Sequence, residues 1–390
     1  MSTLFLEPLD VLYLRGNKLF GDPGSYGESL IPPWPSVAAG AIRSRMLADA
    51  GIDLAAFGRS EVAHPQLGMP SQPGDFAITA FQLARRNKDG LVEALYQPPA
   101  DLVITENEKG EPGVKPLIPT TLPGGEGLQC STPFPLLPIL AATERSKPAS
   151  GYWLTESGWQ KYLRGEIPDA TDLVKSSQLW LLDHRVGVGL ETGTRRAADG
   201  RLFSMQAVAL QAGTGFIAQI SGATPPTTGS VCLGGDGRAA AVSAIEKTLP
   251  QADLSAIAQS RRCRLVLTTP GIFSSPLPPG EGSGVRAGWL PTGTTQTTIG
   301  EYRFALHGVT GKITCAAVAR SEIVSGWDLA RWLPKPARRV APTGSVYWLE
   351  LDDGVTAASL GKLAEQGLWS EPCEDAARRA EGFNRISLAT

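Results

Sequence analysis

The chain has 390 residues, 42% of them apolar, and 36 Lys and Arg stand against 38 Asp and Glu for a formal net charge of −2. That length exceeds one ordinary core and predicts two domains. The near-neutral balance excludes a protein coated in positive charge that binds nucleic acid wherever it lands, so any such contact must be confined to a groove. There is no run of about 18 apolar residues, and the N-terminal stretch lacks a basic segment and carries Glu7 and Asp10, so no membrane contact and a cytoplasmic location are expected. Five cysteines, Cys130, Cys232, Cys263, Cys315 and Cys373, are odd in number and widely spaced, the pattern of reduced, mostly buried thiols rather than of a disulfide framework or a metal site.

In chain order, Thr3 to Leu14 reads as a buried strand ended by the turn Arg15-Gly16-Asn17. A helix follows over Val37 to Ala50, with Ser36 as N-cap after Pro35 and Gly51 as its stop; Val37, Ile42, Met46 and Leu47 share a face, with Arg43 nearer the edge. Phe76 to Arg86 and Leu91 to Tyr96 form a strand pair about the turn signal Asp89-Gly90. Strand, helix, strand, strand is the opening of a ferredoxin-like β-α-β-β-α-β unit. Ten prolines between Gln97 and Pro148 predict a mostly irregular insertion over 97–148. Trp153, Trp159, Tyr162 and Leu163 resume an amphipathic pattern, and Gly215 to Ser221 and Val231 to Leu233 add strand around a turn at 222–230. The second unit starts near Cys263 with a strand over Arg264 to Thr268, a Pro/Gly loop from Pro276 to Gly293, β-rich Lys312 to Val318 and Ser345 to Leu351, and a helix over Thr356 to Gln366 closed by Gly367.

A long hairpin is expected over 184–210. Val186, Val188 and Leu190 alternate with Gly187, Gly189 and Glu191, Leu202 to Leu210 can return as partner, and ETGTRRAADG falls at the tip. Between residues 185 and 201, Arg185, Arg195, Arg196 and Arg201 oppose only Glu191 and Asp199, a local excess of +2 on a chain of −2. Arginine-rich hairpins are also ordinary solvated loops, so charge alone leaves both readings open. Two more basic clusters can contribute to a groove: Arg261, Arg262 and Arg264; and Arg331, Lys335, Arg338 and Arg339.

The run Leu233-Gly234-Gly235-Asp236-Gly237-Arg238 follows a strand, and its backbone can approach a phosphate; a plain tight turn has the same composition. Gly382-Phe383 is a shorter candidate of the same kind. GVTGKIT spaces Gly308 and Gly311 too closely for a phosphate-wrapping loop, and Gly187-Val188-Gly189 lacks the third glycine and the βαβ setting of a dinucleotide site, so no cofactor is expected. His64, His184 and His307 lie about 120 residues apart and form no local metal pair. Among the tryptophans, Trp327 and Trp348 read as core, and Trp34 and Trp289 as partly exposed.

Five stretches, in order, resemble the RAMP proteins of type III CRISPR systems, specifically the third subunit of the Cmr (type III-B) effector module. They are LEPLDVLYLRGNKLFG (Leu6 to Gly21), PPWPSVAAGAIRSRML (Pro32 to Leu47), the hairpin HRVGVGLETGTRRAADGRLFSMQAV (His184 to Val208), LVLTTPGIFSSP (Leu265 to Pro276) and SEIVSGWDLARWLPKPARRVAPTGSVYWLEL (Ser321 to Leu351). The resemblance implies an α+β fold of tandem ferredoxin-like (RRM/RAMP-type) domains, residues 1–250 and 260–390 with a linker around 245–262, with the hairpin inserted as a thumb. It implies a non-catalytic RNA-binding subunit that anchors the 5′ repeat-derived handle of the guide RNA, beside the large polymerase-like subunit and the backbone RAMP subunit of the filament. The candidate RNA contacts are Arg15, Lys18, Arg43, Arg45, His184, Arg185, Arg195, Arg196, Gly234, Gly235, Arg238, Arg338 and Arg339. The rival readings are a metal-independent CRISPR endoribonuclease with His184 as general base, and a scaffold that touches protein alone.

Overall fold

The computed structural model describes residues 1–16, 26–121, 132–142, 147–276, 285–298, 301–328 and 331–390. Two six-stranded sheets carry it. The first is built from β1 (Ser2–Pro8), then, after helix α1 (Pro35–Asp49), from β2 (Ala77–Arg86) and β3 (Val92–Leu95). Helix α2 (Glu156–Leu163) and the hairpin strands β4 (Trp180–Leu190) and β5 (Ala197–Leu210) intervene before β6 (Thr214–Ser221), β7 (Ser230–Cys232) and β8 (Ala239–Ala244) complete the sheet. Its spatial order is β7-β8-β1-β6-β2-β3, all neighbours antiparallel. The four central strands thus lie fourth, first, third, second in chain order.

Helix α3 (Leu254–Ser260) leads into the second sheet: β9 (Arg262–Leu267), β10 (Thr294–Thr298), β11 (Glu301–Leu306), β12 (Val309–Ala317), β13 (Val346–Leu351), helices α4 (Ala357–Gln366) and α5 (Ala376–Ala380), and β14 (Ile386–Ala389). Its order is β10-β11-β12-β13-β9-β14, again antiparallel. The last four repeat the pattern of second, third, first, fourth. No helix in the described residues is long and apolar enough to cross a membrane.

The alternation of side chains along a strand explains how the layers stack. Leu4, Leu6, Phe216, Ala218 and Ile220 face α1, whose Ile42, Met46 and Leu47 complete that core. Phe5 and Ile217, one residue out of phase, face the other way and join Val266, Val346 and Ala389 of the second sheet together with Trp159 and Tyr162 of α2. Strands buried on both faces read as near-continuous apolar runs, as GFIAQI does with Gln219 its one polar side chain.

Several expectations are corrected. The first strand stops at Pro8, which has no N–H to donate, rather than running to Leu14. Helix α1 starts one residue before Ser36: Pro35 takes the first helical position, where a missing N–H costs nothing, and Trp34 is the cap residue. The 97–148 insertion is not irregular throughout, because Leu102–Glu106, Pro112–Thr120 and Leu137–Leu140 form a three-stranded sheet. Its middle strand pairs with one neighbour through residues 112–116 and with the other through 117–120, so each half has an open side on which Pro116 and Pro119 cost no ladder bond. Among the described residues the full β-α-β-β-α-β order is met in neither sheet. Between β6 and β8 the chain runs through TPPTTG, and Pro225 and Pro226 bar a helix; between β9 and β12 the described residues contain strands and no helix. The hairpin tip is Glu191 to Arg196, with Ala197 to Gly200 already in β5. Trp34 is buried and Trp327 half-exposed, the reverse of the expectation, because Trp34 packs with Val324 and Val340 while Trp327 sits on a short ribbon edge-on to Trp332. Cys232 is exposed, and Cys130 lies outside the described residues.

Candidate nucleic-acid interface

The hairpin is attached to the body at its base. Leu12 and Val208 exchange backbone hydrogen bonds of 2.9 and 2.8 Å, Tyr26–Gly27 runs parallel to β5, and Ser29 binds Gln206 through both its amide and its hydroxyl. Beyond the base, Gly187 faces Phe203 and Gly189 lies against Arg201. A Cβ on Gly187 would come within 2.4 Å of the Phe203 ring, so the glycines of VGVG let large side chains lie flat across the ribbon. The opposite face leaves Val186, Val188, Leu190 and Leu202 exposed.

At this base the structure assembles a group centred on Tyr13, a buried residue just past the end of β1. Arg185 of β4 donates from Nη1 to the Tyr13 hydroxyl at 2.9 Å, and its guanidinium lies 5.9 Å from the Tyr13 ring centroid. The Arg238 guanidinium lies 5.1 Å from the same centroid and pairs with Asp10. Asp183 accepts from Arg185 Nε at 2.8 Å and orients it. Two cations at one electron-rich ring form a cation–π arrangement that fixes both side chains.

The glycine loop closes on the same residue. Leu233 N–H donates to the Arg238 carbonyl at 2.7 Å, so the loop is the tight connection of the β7–β8 hairpin, and Gly235 N–H donates to the Tyr13 carbonyl at 2.8 Å. Gly234 has φ +85°, and a Cβ there would meet the Tyr13 carbonyl oxygen at 2.8 Å, so glycine is required twice over. Among the described residues the amides of Gly234, Asp236 and Gly237 have no hydrogen-bond acceptor, and with Arg185 and Arg238 they offer N–H donors suited to an anion.

Of the sequence candidates, Arg15, His184, Arg185, Gly234, Gly235 and Arg238 gather around this base. Arg15 is exposed and its backbone bridges to Ser29. His184 is exposed, paired with Gln206 across the hairpin, with Nδ1 3.3 Å from the Tyr26 hydroxyl. Arg195 and Arg196 are exposed at the tip, separated from Arg185 by five residues of strand or about 17 Å. Arg338 and Arg339 are exposed on a separate ribbon whose Val324 and Val340 pack with Leu30 and Trp34.

Arg43 and Arg45 belong to the fold. The Arg43 guanidinium stacks 4.9 Å from the Phe76 centroid, and burial pushes it down against the opposing charge of Glu381. Arg45 donates to Asp49 at 2.7 Å and to the Ser230 carbonyl at 2.8 Å, tying α1 to β7. Arg264 is likewise withdrawn into a contact with Asp101 and Tyr162, and Arg261 pairs with Asp353, which leaves Arg262 of that cluster exposed. Lys18 lies outside the described residues. His64 Nδ1 accepts from the amides of Gln66 and Leu67, a turn-forming role. No group of three or more His, Cys, Asp or Glu among the described residues is placed to hold a metal. Neither Tyr13 nor Asp10 is among the site residues that the sequence suggests; the signal for Tyr13 is an aromatic in the apolar run before Arg15.

The chain falls in a known class, the CRISPR-associated proteins: a family model of that description matches residues 4–387. The family is Cas_Cmr3, and the chain belongs to it, as a Cmr subunit of a CRISPR system. No curated protein matches it significantly. Among solved structures it is similar at 13% identity to a chain of a type III-B Cmr-beta complex bound to cognate target RNA and AMPPnP, with a TM-score of 0.47 over 100% of this chain and 99% of that one. A chain of Cmr-beta bound to cognate target RNA is also similar, at 13% identity and a TM-score of 0.42, covering 89% and 86%.

Proposed function

We propose that the chain is the non-catalytic, RNA-binding third RAMP subunit of a type III-B CRISPR ribonucleoprotein in the cytoplasm. It anchors the 5′ handle of the guide RNA beside the large polymerase-like subunit and the backbone RAMP subunit. On this reading each sheet is a ferredoxin-like unit that has lost one helix, the units divide near residue 250, and β4–β5 is the thumb. Membership in the Cas_Cmr3 family supports the setting. The observation that carries the RNA-binding role is the convergence of Arg185, Arg238 and the Gly234–Gly237 loop on Tyr13 at the root of the hairpin. Guanidiniums pre-oriented by an aromatic ring, beside backbone amides, suit the phosphates of a single strand, and the exposed apolar face of the hairpin suits splayed bases.

The test is guide-RNA retention by the assembled complex carrying Arg185→Gln and Arg238→Gln. Retention should fall while protein subunits still assemble; full retention at physiological salt would refute the assignment. The endoribonuclease reading is weaker, since His184 faces Tyr26 and Gln206 rather than a carboxylate that would orient it as a base.

A further inference from the structure

Residues 322–340 form a second, shorter hairpin, in which Glu322–Val324 pairs with Arg338–Val340 and Trp327–Asp328 pairs with Leu333–Pro334. Its foot is fixed to the body. Val324 and Val340 are buried against Trp34, Trp369 and Phe383. Arg378 of α5 donates to the Ser325 carbonyl at 3.2 Å, and Lys335 is committed to Glu381. The outer half has no such cover. Trp327 is 50% and Trp332 72% exposed, and they meet edge-on with centroids 6.1 Å apart and planes at 86°. An edge-on contact leaves indole faces open, and an exposed tryptophan forgoes one of the largest apolar burials a side chain can make. Trp332 also holds a left-handed backbone, φ +54°, which is rare for a bulky residue and which no burial of its side chain offsets.

The charges beside these rings are one-sided. Residues 320–340 carry five cations against Glu322 and Asp328, an excess of +3 in a chain of −2. Among the described residues the exposed guanidiniums of Arg331, Arg338 and Arg339 have neither a carboxylate nor a hydrogen-bond acceptor, whereas exposed Arg59, Arg164 and Arg261 each hold an acid. Asp328 is turned to the Arg331 amide, from which it accepts at 3.2 Å. Arg339 stands opposite the exposed Ile323, so cations and apolar groups alternate along the hairpin. A folded protein partner would have to bring three carboxylates into register together with an apolar cover, and interface cores are depleted in charge. One unpaired nucleic-acid strand supplies both at once, a phosphate at every nucleotide for the guanidiniums and a free base face for each indole.

We propose that the outer half of this hairpin is a second nucleic-acid contact of the chain, a platform on which Trp327 and Trp332 stack unpaired bases of an RNA strand while Arg331, Arg338 and Arg339 take its phosphates. That the strand is RNA rests on the reading above; the platform itself uses neither Arg185, Arg238 nor the glycine loop. The experiment titrates the full chain, by fluorescence anisotropy, with a labelled single-stranded uridine ten-mer and with the abasic strand of the same length. The ten-mer should bind more tightly than the abasic strand. Trp332→Ala should weaken the ten-mer about fivefold or more while leaving the abasic strand and Tm unchanged, and Trp332→Phe should restore most of that loss because any aromatic face can stack. Arg338→Gln with Arg339→Gln should weaken both strands alike and flatten the log–log salt slope by up to about 1.4. Arg185→Gln with Arg238→Gln is measured in parallel: a loss in Trp332→Ala supports the platform even where those root variants bind like wild type, and a loss confined to the root variants overturns it while leaving the guide-RNA reading intact. Absence of saturable binding, equal affinity of wild type and Trp332→Ala for the ten-mer, or an equal loss on the abasic strand would overturn the assignment. Failure of Trp332→Ala to assemble with the protein subunits at unchanged ten-mer affinity would give the hairpin to a protein partner instead.

Discussion

Arg264→Met should destabilise the protein by about 3–5 kcal/mol, the range observed when one partner of a buried ion pair is removed. Arg264 donates from Nη1 to Asp101 at 3.0 Å, from Nη2 to the Tyr162 carbonyl at 2.9 Å and from Nε to the Thr390 carbonyl at 3.0 Å. Its guanidinium also stacks 4.2 Å from the Tyr162 ring centroid. Asp101 is 2% exposed and accepts otherwise from the Tyr162 hydroxyl at 2.9 and 3.0 Å. Methionine keeps much of the aliphatic volume but leaves the carboxylate buried without its cation, a large loss against a total margin of about 5–15 kcal/mol.

The deficit should depend on pH with a definite sign. Burial raises the Asp101 carboxyl and Arg264 opposes that rise, so removing the guanidinium lifts the folded-state value further above the ordinary 3.8. A carboxyl raised in this way contributes stability below its unfolded value that is lost as pH climbs through the folded one, so the deficit should be larger at pH 7 than at pH 5. Urea midpoints of wild type and variant at both pH values measure this. A loss under about 1 kcal/mol, or a greater deficit at pH 5, would refute the ion-pair reasoning. The salt dependence of RNA retention should be unchanged, since Arg264 is not on the proposed RNA path.

The remaining predictions concern the hairpin and its root. Arg195→Ala with Arg196→Ala should change stability by less than about 0.5 kcal/mol, as expected at an exposed tip, yet lower guide-RNA retention. If both touch phosphates, the log–log salt slope should flatten by up to about 1.4, whereas base contacts would leave the slope and make the loss sequence-dependent. Gly234→Ala should cost at least about 1–2 kcal/mol from its left-handed backbone alone, with the clash on the Tyr13 carbonyl added, and should reduce RNA retention; wild-type midpoint and retention would contradict this. Incubation with labelled repeat RNA, with and without divalent metal, should give no cleavage, and specific cleavage abolished by His184→Ala would establish the enzymatic reading instead.

What the sequence made legible is what depends on local pattern. Helix α4 with its Gly367 stop, the hairpin alternation from Val186 to Leu190, and the turn between β6 and β7 all follow from near neighbours. The strands of the proline-rich insertion were missed because tolerance of Pro116 and Pro119 depends on which neighbour each half of the strand lacks, a tertiary fact. Tyr13 was missed for a similar reason: its aromatic ring reads as core, and is buried, but its partners Arg185 and Arg238 arrive from distant parts of the chain. Arg43, Arg45 and Arg264 show the converse. Basic residues that look free in a sequence can be committed to a Phe76 ring, a Ser230 carbonyl or an Asp101 carboxylate.

The most direct measurement of the central claim is a residue-resolved RNA–protein crosslinking map of the assembled ribonucleoprotein with its guide RNA. The account predicts crosslinks from the 5′ handle to the Gly234–Arg238 loop and to the hairpin root around Arg15, His184 and Arg185, with further crosslinks along the hairpin toward Arg195 and Arg196. A map in which the handle crosslinks elsewhere and these segments crosslink only to protein would contradict it.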